Sequence, residues 1–260
     1  MRALITGAAG GIGLAVAERL TERAGERGEP AALVLVDLDA ERLAAAAASL
    51  RQLGATVETS AGDLGDPAFA ERAVAVAAER LGGLDALVSN AGAIGNDLLV
   101  DLSVEDFDLG FAINTRATWL LAKYAHPMLR DSRGAVVATA SISGIHPTPP
   151  HGSYSASKAA LIMLIAQLAF EWGPDGIRCN CVSPGHTHTP MTDSVYSDPE
   201  RRRQRASRIP LRRVAEPREI AAAAVFLLSE EAGYVTGVNL PVDGGLGTSL
   251  MPAIRGLDEL

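Results

Sequence analysis

The chain is expected to fold as an α/β protein, a parallel β-sheet covered by helices on both faces, and two observations predict this. Short β-prone runs alternate with Ala-rich helical runs along the chain, which is the βαβ rhythm. No composition shift, repeat or low-complexity linker divides the 260 residues, a length that one large α/β domain commonly has. The expectation is therefore a single domain over residues 1–260.

The strand candidates, in order, are ALIT, LVLVD, TVETSA, ALVSN, AVVATA, IRCNCVS and GVNLPVD. Between them lie IGLAVAERLTERA, AERLAAAAASLRQL, PAFAERAVAVAAERLG and PREIAAAAVFLLSEE, read as helices, and two of these begin at a proline suited to a first helical turn. The stretch HGSYSASKAALIMLIAQLAFEW reads as a buried helix. The segment TERAGERGEPAA, near 21–32, has the Gly, Pro and charge content of an exposed loop. The one long irregular stretch, from about Pro184 to Glu216, is rich in Pro, Ser and Arg; loops of that length tend to be functional.

The net charge of -8 comes from an ordinary 21% of charged residues, and no basic patch suggests a nucleic-acid partner. Cys179 and Cys181 lie two apart in an apolar run, so a strand would point both to one face with no need of a disulfide. The opening MRALITG has no basic-then-apolar leader, and the longest apolar run is too short to span a bilayer. A cytoplasmic protein with no membrane partner is the expectation.

TGAAGGIG follows the first strand directly and runs into the first helix. Glycines there let the backbone turn tightly and approach a phosphate at the helix N-terminus, although a plain tight turn has the same composition. The spacing Gly7, Gly11, Gly13 is not GxGxxG. Asp37 ends the second strand, where a carboxylate can accept hydrogen bonds from an adenosine ribose and would repel a 2′-phosphate; it can also simply cap the next helix. Position 38 is Leu38, and no Arg or Lys stands there or within the glycine turn, which favours NAD over NADP.

Tyr154 and Lys158 are four apart in YSASK, so on a helix they lie on one face with the ammonium near the phenol. A free phenol titrates near ~10, too high for a general base at neutral pH, and a fixed positive charge would lower that value. A snorkelled pair at a helix margin is the structural alternative.

TGAAGGIG, NAG at Asn90, Ala91 and Gly92, YSASK, and SPG at Ser183, Pro184 and Gly185 together resemble the short-chain dehydrogenase/reductase family, in that order and over essentially the whole chain. The resemblance implies a doubly wound Rossmann fold with a seven-stranded parallel sheet. It implies catalytic roles for Asn114, Ser141, Tyr154 and Lys158, with Ser141 steadying the substrate oxygen and Asn114 supporting a proton relay. Ser143 competes with Ser141, but the spacing to Tyr154 and Gly144 favours Ser141. The implied cofactor contacts are Gly7, Gly11, Ile12, Gly13, Asp37 and Leu38, then Asp63 with Leu64 at the adenine and Asn90, Ala91 and Gly92 along the ribose. Tyr154, Lys158, Pro184, Gly185, Thr187 and Thr189 complete them, Thr187 being a departure from the usual aliphatic residue. A homotetramer is implied as well, through the apolar helix after Lys158.

The expected function is NAD-dependent hydride transfer between nicotinamide and a secondary alcohol or ketone, with a substrate lid at about 186–215. The alternatives are a 3-oxoacyl-thioester reductase and a non-catalytic nucleotide-sensing protein. The expected substrate is a small polar molecule, a sugar, polyol or hydroxy acid, because His146, His151 and His186 fall near the presumed pocket. His188 falls near it too, while His126 lies elsewhere; no metal site is expected, since the histidines lack a carboxylate or thiolate at ligand spacing. PERRRQRASRIPLRR carries seven arginines; if 199–208 is helical, Arg201, Arg205 and Arg208 share one face, turned either to water or to an anionic group.

Overall fold

Seven parallel strands form one sheet in the order β3-β2-β1-β4-β5-β6-β7. They are β1 Arg2–Thr6, β2 Ala32–Asp37, β3 Thr56–Ala61, β4 Ala86–Ser89, β5 Ala135–Thr139, β6 Arg178–Pro184 and β7 Asn239–Val242. The order reverses direction between β1 and β4, the switch point at which doubly wound sheets open a crevice beyond the carboxyl ends of their strands. The computed structural model describes residues 1–249; the expected domain range of 1–260 extends over residues outside these.

The central strands β1, β2, β4 and β5 are almost wholly apolar because both faces are covered, whereas the edge strand β3 is largely polar, and the strand period of two sends alternate side chains to two separate cores. On one side Ala3, Ile5, Leu33, Leu35, Val88, Val137 and Val182 pack with helices α1 Gly11–Glu26, α2 Ala40–Gln52 and α9 Pro217–Leu228. On the other, Leu4, Val34, Val36, Leu87, Val136 and Ala138 pack with α3 Pro67–Val76, α5 Ala117–Ser132 and α6 Tyr154–Trp172. Cys179 and Cys181 fall together in that second core, buried and unbridged, as the two-residue spacing predicts.

Three expectations are corrected. The segment from residue 21 is not all loop: α1 continues to Glu26, because Thr21 and Ala24 extend the buried stripe of Val16, Ala17 and Leu20 that packs on α9. Helix α6 is not buried all round; Leu161, Ile165 and Leu168 are buried, while Met163 and Phe170 are 68% and 87% exposed. The stretch from Pro184 to Glu216 is partly regular, holding α7 Asp193–Tyr196 and α8 Pro199–Ser207. Asp198 starts α8 by accepting the N–H groups of Glu200 and Arg201, and Pro199 occupies its first turn.

Helix α4 Val104–Phe111 runs into α5 through a π-turn, Ala112–Arg116. Such turns insert an extra residue and often mark functional sites. Here it turns Asn114 inward, where it is 1% exposed. No helix among the described residues is long and apolar enough to cross a membrane.

Candidate active site

At the switch point, side chains tie the strand ends together. Thr6 Oγ1 accepts the N–H groups of Asn90 and Ala91 at 2.9 and 3.0 Å, joining β1 to β4. Asn90 Nδ2 donates to the carbonyls of Thr6 and Gly7, and its Oδ1 accepts from Thr139 Oγ1 at 3.0 Å, joining β5 as well. The turn itself needs glycine at position 13, where a Cβ would lie 2.2 Å from the Gly7 carbonyl oxygen.

Helix α1 starts with no side-chain cap and no acidic residue in its first turn. Helices α2, α3, α4 and α8 are each capped by an Asp or Ser, and α9 by a capping box. The first N–H groups of a helix have no intrahelical acceptor, so the start of α1 at Gly11, Ile12 and Gly13 fits a phosphate group. Thr189 and Pro190, far along the chain, pack directly against Gly11 and bring the 186–215 segment over this turn.

Asp37 does not cap α2; Asp39 does, by accepting the Arg42 N–H. Asp37 instead accepts the N–H groups of Ala9 at 2.9 Å and Asp39 at 3.2 Å, one on each oxygen. A carboxylate offers about four acceptor sites, so two remain for ribose hydroxyls. Leu38 beside it is exposed. Asp63 is exposed and holds the Gly65 N–H at 2.7 Å, whereas Leu64 turns its side chain into the core and leaves only its backbone toward the cleft.

Tyr154, Lys158, Ser141 and Asn114 converge. Lys158 is 3% exposed, and its Nζ donates to the Thr139 carbonyl at 2.8 Å and lies 5.8 Å from the Tyr154 ring centroid. Burial pushes its pKa down to about 8. Burial also holds the Tyr154 phenol above its ordinary value, against the opposing hydrogen bond of Ser141. Against the expected lowering the phenol is raised, because desolvation of the phenolate outweighs the Ser141 hydrogen bond.

Ser141 Oγ accepts the Ser143 N–H at 3.0 Å, and Ser143 spends its own hydroxyl on Thr148 at 2.9 Å, which leaves Ser141 as the serine beside the phenol. The turn after Ser141 packs on α6 at Gly144, where a Cβ would lie 2.8 Å from the Lys158 backbone. Asn114 accepts the Ala93 N–H at 2.9 Å and donates to the Ala93 carbonyl and to Ser157 Oγ at 2.9 and 3.0 Å. It therefore clamps the chain after Gly92 onto α6.

The strand end at Pro184 and Gly185 leads to Thr187, which is buried, with its carbonyl taken by Thr192 Oγ1 at 2.7 Å. Thr189 N–H donates to the same hydroxyl at 2.9 Å. The histidines separate. His151 lies edge-on to Tyr154, ring centroids 6.4 Å apart, with Nδ1 3.1 Å from the Gly95 carbonyl oxygen. His146 is exposed near Gly247. His186 stands edge-on to the buried Tyr196 at 6.1 Å. His188 is tied to Asp193 at 2.9 Å, and His126 to Asp175 at 2.9 Å on the far side of α5. No group of three or more His, Cys, Asp or Glu able to hold a metal ion occurs among the described residues.

Sequence reasoning missed four residues of this site. Thr6, Thr139 and Ser157 carry the network, and each stands beside a motif already singled out, as a strand end or the serine within YSASK. Arg42 is the fourth: from α2 its Nη2 comes within 2.9 Å of where a side chain on Gly10 would begin, which places a cation at the turn that contains none in sequence.

Residues 7–247 match a family model described as enoyl-(acyl carrier protein) reductase. The chain is 36% identical over 244 residues, 94% of each chain, to 2,5-dichloro-2,5-cyclohexadiene-1,4-diol dehydrogenase of Sphingobium indicum. It is also 36% identical to glucose 1-dehydrogenase of Gluconobacter oxydans, over 94% of this chain and 91% of that one. Among solved structures, a putative NAD(P)-dependent gluconate 5-dehydrogenase from Beutenbergia cavernae, with bound NADP at low occupancy, is 31% identical and superposes with a TM-score of 0.85, covering 94% of this chain and 96% of that one.

Burial, followed by the charges of Arg205 and Arg208, pushes His186 down to about 4 from the usual 6.5. Between these values the unfolded chain takes up a proton that the folded chain refuses, so stability falls as pH drops from 6.5 toward 4. In His186→Gln, thermal melts should show a smaller loss of Tm over that window, by about 2–4 °C. Parallel Tm–pH curves for the two proteins would show that His186 titrates normally.

Proposed function

Because the chain belongs to the short-chain dehydrogenase/reductase family, we propose that it interconverts a polar secondary alcohol and its ketone with NAD as the hydride carrier. The observation that carries this reading is the convergence of Ser141, Tyr154 and the buried Lys158 at the carboxyl ends of β4 and β5, beside an uncapped helix start. A bound nicotinamide supplies the two-electron step, taking hydride from the carbinol carbon in oxidation and returning it in reduction.

The protein's own part is proton handling and orientation. Ser141 Oγ donates a hydrogen bond to the substrate oxygen and steadies charge that develops there. In reduction Tyr154 gives its proton to that oxygen, and in oxidation it takes the hydroxyl proton. Burial keeps the phenol protonated, which suits the acid role; the Lys158 ammonium is the fixed charge that favours the phenolate when the base role is required. Lys158 also reaches the nicotinamide ribose hydroxyls. Asn114, which donates to Ser157 Oγ beside the lysine in sequence, is the start of a proton relay toward it.

The turn of Gly7, Gly11, Ile12 and Gly13 holds the pyrophosphate. Asp37 would accept the adenosine ribose hydroxyls, with Leu38 next to it, and Asp63 with Leu64 would meet the adenine. Asn90, Ala91 and Gly92 line the ribose, and Pro184, Gly185, Thr187 and Thr189 border the nicotinamide, Thr187 through its N–H because its carbonyl is taken. Residues 186–215 act as the lid, and His146, His151 and His186 border the substrate. Support for a polar substrate comes from these histidines and from the names of the glucose and gluconate dehydrogenases above. Arg42 favours the rival reading, a 3-oxoacyl-thioester reductase, to the extent that its cation can meet a 2′-phosphate. A non-catalytic nucleotide sensor would have no need of the Ser141, Tyr154 and Lys158 arrangement.

The deciding experiment is a panel of polyols, hydroxy acids, apolar alcohols and 3-oxoacyl thioesters with NAD(H) and NADP(H), followed at the nicotinamide absorbance. A higher kcat/KM for an apolar alcohol than for every polyol and hydroxy acid would refute the polar reading.

Tyr154→Phe should lower turnover about 10²–10⁴-fold while leaving NADH binding, read by fluorescence, nearly unchanged. Retention of a tenth of the wild-type rate would exclude Tyr154 as the proton shuttle. NAD should be used more efficiently than NADP, and Asp37→Ser with Leu38→Arg should move the ratio toward NADP. Equal efficiency in the unmodified protein would mean that Asp37 does not set the choice.

A homotetramer is the proposed assembly, since α6 and α5 leave Met163, Phe170 and Trp119 exposed at 68%, 87% and 43%. Light scattering at micromolar concentration should give four times the chain mass; a monomer there would end the proposal.

A further inference from the structure

The arginines of the 199–213 segment are divided by their partners. Arg201 pairs with Asp198 at 3.4 Å, Arg202 with Glu216 at 3.0 Å, Arg203 with Glu200 and Arg213 with Glu219. Arg212 donates to the Ser207 carbonyl. Arg205 and Arg208 have no carboxylate within 4.0 Å among the described residues. The sequence grouped Arg201 with these two, and its pairing with Asp198 removes it.

The two unpaired cations sit three residues apart, at the last turn of α8 and its C-cap, so they share a face. Arg205 Cζ stands 6.0 Å from the ring centroid of the buried Tyr196, whose other neighbours at about the same distance are the rings of His186 and His188. His186 follows the carboxyl end of β6, and Ser141 that of β5, its hydrogen-bonded neighbour. The Ala140 N–H donates to the Val182 carbonyl at 2.8 Å, so the chain that carries His186 leaves the sheet on the strand beside the one that carries Ser141.

We propose that Arg205 and Arg208 form an oxyanion subsite, holding a carboxylate or phosphate of the substrate while Ser141 and Tyr154 act on its carbinol. The proposal rests on the reading of the chain as an oxidoreductase of polar alcohols and names the charge of the molecule it takes. Two like charges on one helix face repel, and an oxyanion between two guanidinium groups relieves that repulsion with charge-assisted hydrogen bonds. His186 and Tyr196 form the wall beside them. Burial and the two arginines keep His186 neutral at physiological pH, so it adds a hydrogen-bonding edge without a third positive charge.

Phenylglyoxal labelling with peptide mass mapping reads each arginine separately and needs no turnover. The probes are D-gluconate for a carboxylate, D-glucitol 6-phosphate for a phosphate, and D-glucitol as the uncharged control, each with the full chain and NADH. At least one anion should slow labelling of Arg205 and Arg208 about fivefold or more, with Arg201 and Arg203 unaffected and glucitol without effect. Which anion protects identifies the oxyanion. In turnover, Arg205→Gln with Arg208→Gln should lower the ratio of kcat/KM for the protecting anion over glucitol about tenfold or more, and Lys at both positions should restore part of it. Equal labelling of Arg205 and Arg208 under all three probes, or an unchanged ratio, overturns the subsite and leaves the oxidoreductase reading intact. Protection without turnover of any alcohol on the panel would uphold the subsite and remove the oxidoreductase reading instead.

Discussion

The site depends on keeping one ammonium group dry. Lys158 is buried in the junction of β5 and α6, and an isolated charge there would cost several kcal/mol. The Thr139 carbonyl meets it at 2.8 Å, and that carbonyl is free to do so because it stands at the last residue of β5, where the ladder ends. The Thr139 hydroxyl in turn is taken by Asn90. One residue thus links the lysine to the asparagine that ties β4 and β1. A displacement of the end of β5 would disturb the lysine's contact from α6 and the asparagine's contact from β4 together.

The neighbours of this junction are shaped by the same closeness. The turn after Ser141 approaches Lys158 so nearly that position 144 has no room for a side chain, and this sets the serine against the phenol of the same helix. Asn114 reaches the junction only because the π-turn rotates it inward between α4 and α5. The network is fully partnered: no buried side-chain nitrogen or oxygen among the described residues lacks a hydrogen bond. A satisfied buried network is rigid, which suits a site that must hold a phenol and a serine in register.

The 186–215 segment shows a different balance. Its packing on the glycine turn comes from two residues, Thr189 and Pro190, while most of its charge is neutralised locally by carboxylates three to fourteen residues away. Those ion pairs are exposed and contribute about 0–1 kcal/mol each, so the segment is anchored instead by the buried Tyr196, Ile209 and Val214 and by the Leu211 N–H on the Gly244 carbonyl.

By itself the sequence located most of the elements and placed the chain in an oxidoreductase family. Period-two and helical patterns located the strands and the major helices, and the family resemblance carried by the four motifs implied roles for the glycine turn, Tyr154 and Lys158, with Ser141 picked out by its distance from Tyr154. What lay beyond it depends on contacts between distant residues. Whether Thr21 belonged to helix or loop was decided by α9, two hundred residues away, against which α1 continues. The exposed face of α6 was invisible because apolar residues on a helix look the same whether a core or open surface receives them. Arg42 stands in the first turn of α2, after the end of β2, and only the tertiary arrangement puts its guanidinium beside Gly10. The division of the arginines was equally a matter of three dimensions: all carry the same charge in sequence, and it is the reach of Asp198, Glu200, Glu216 and Glu219 that leaves Arg205 and Arg208 unpaired.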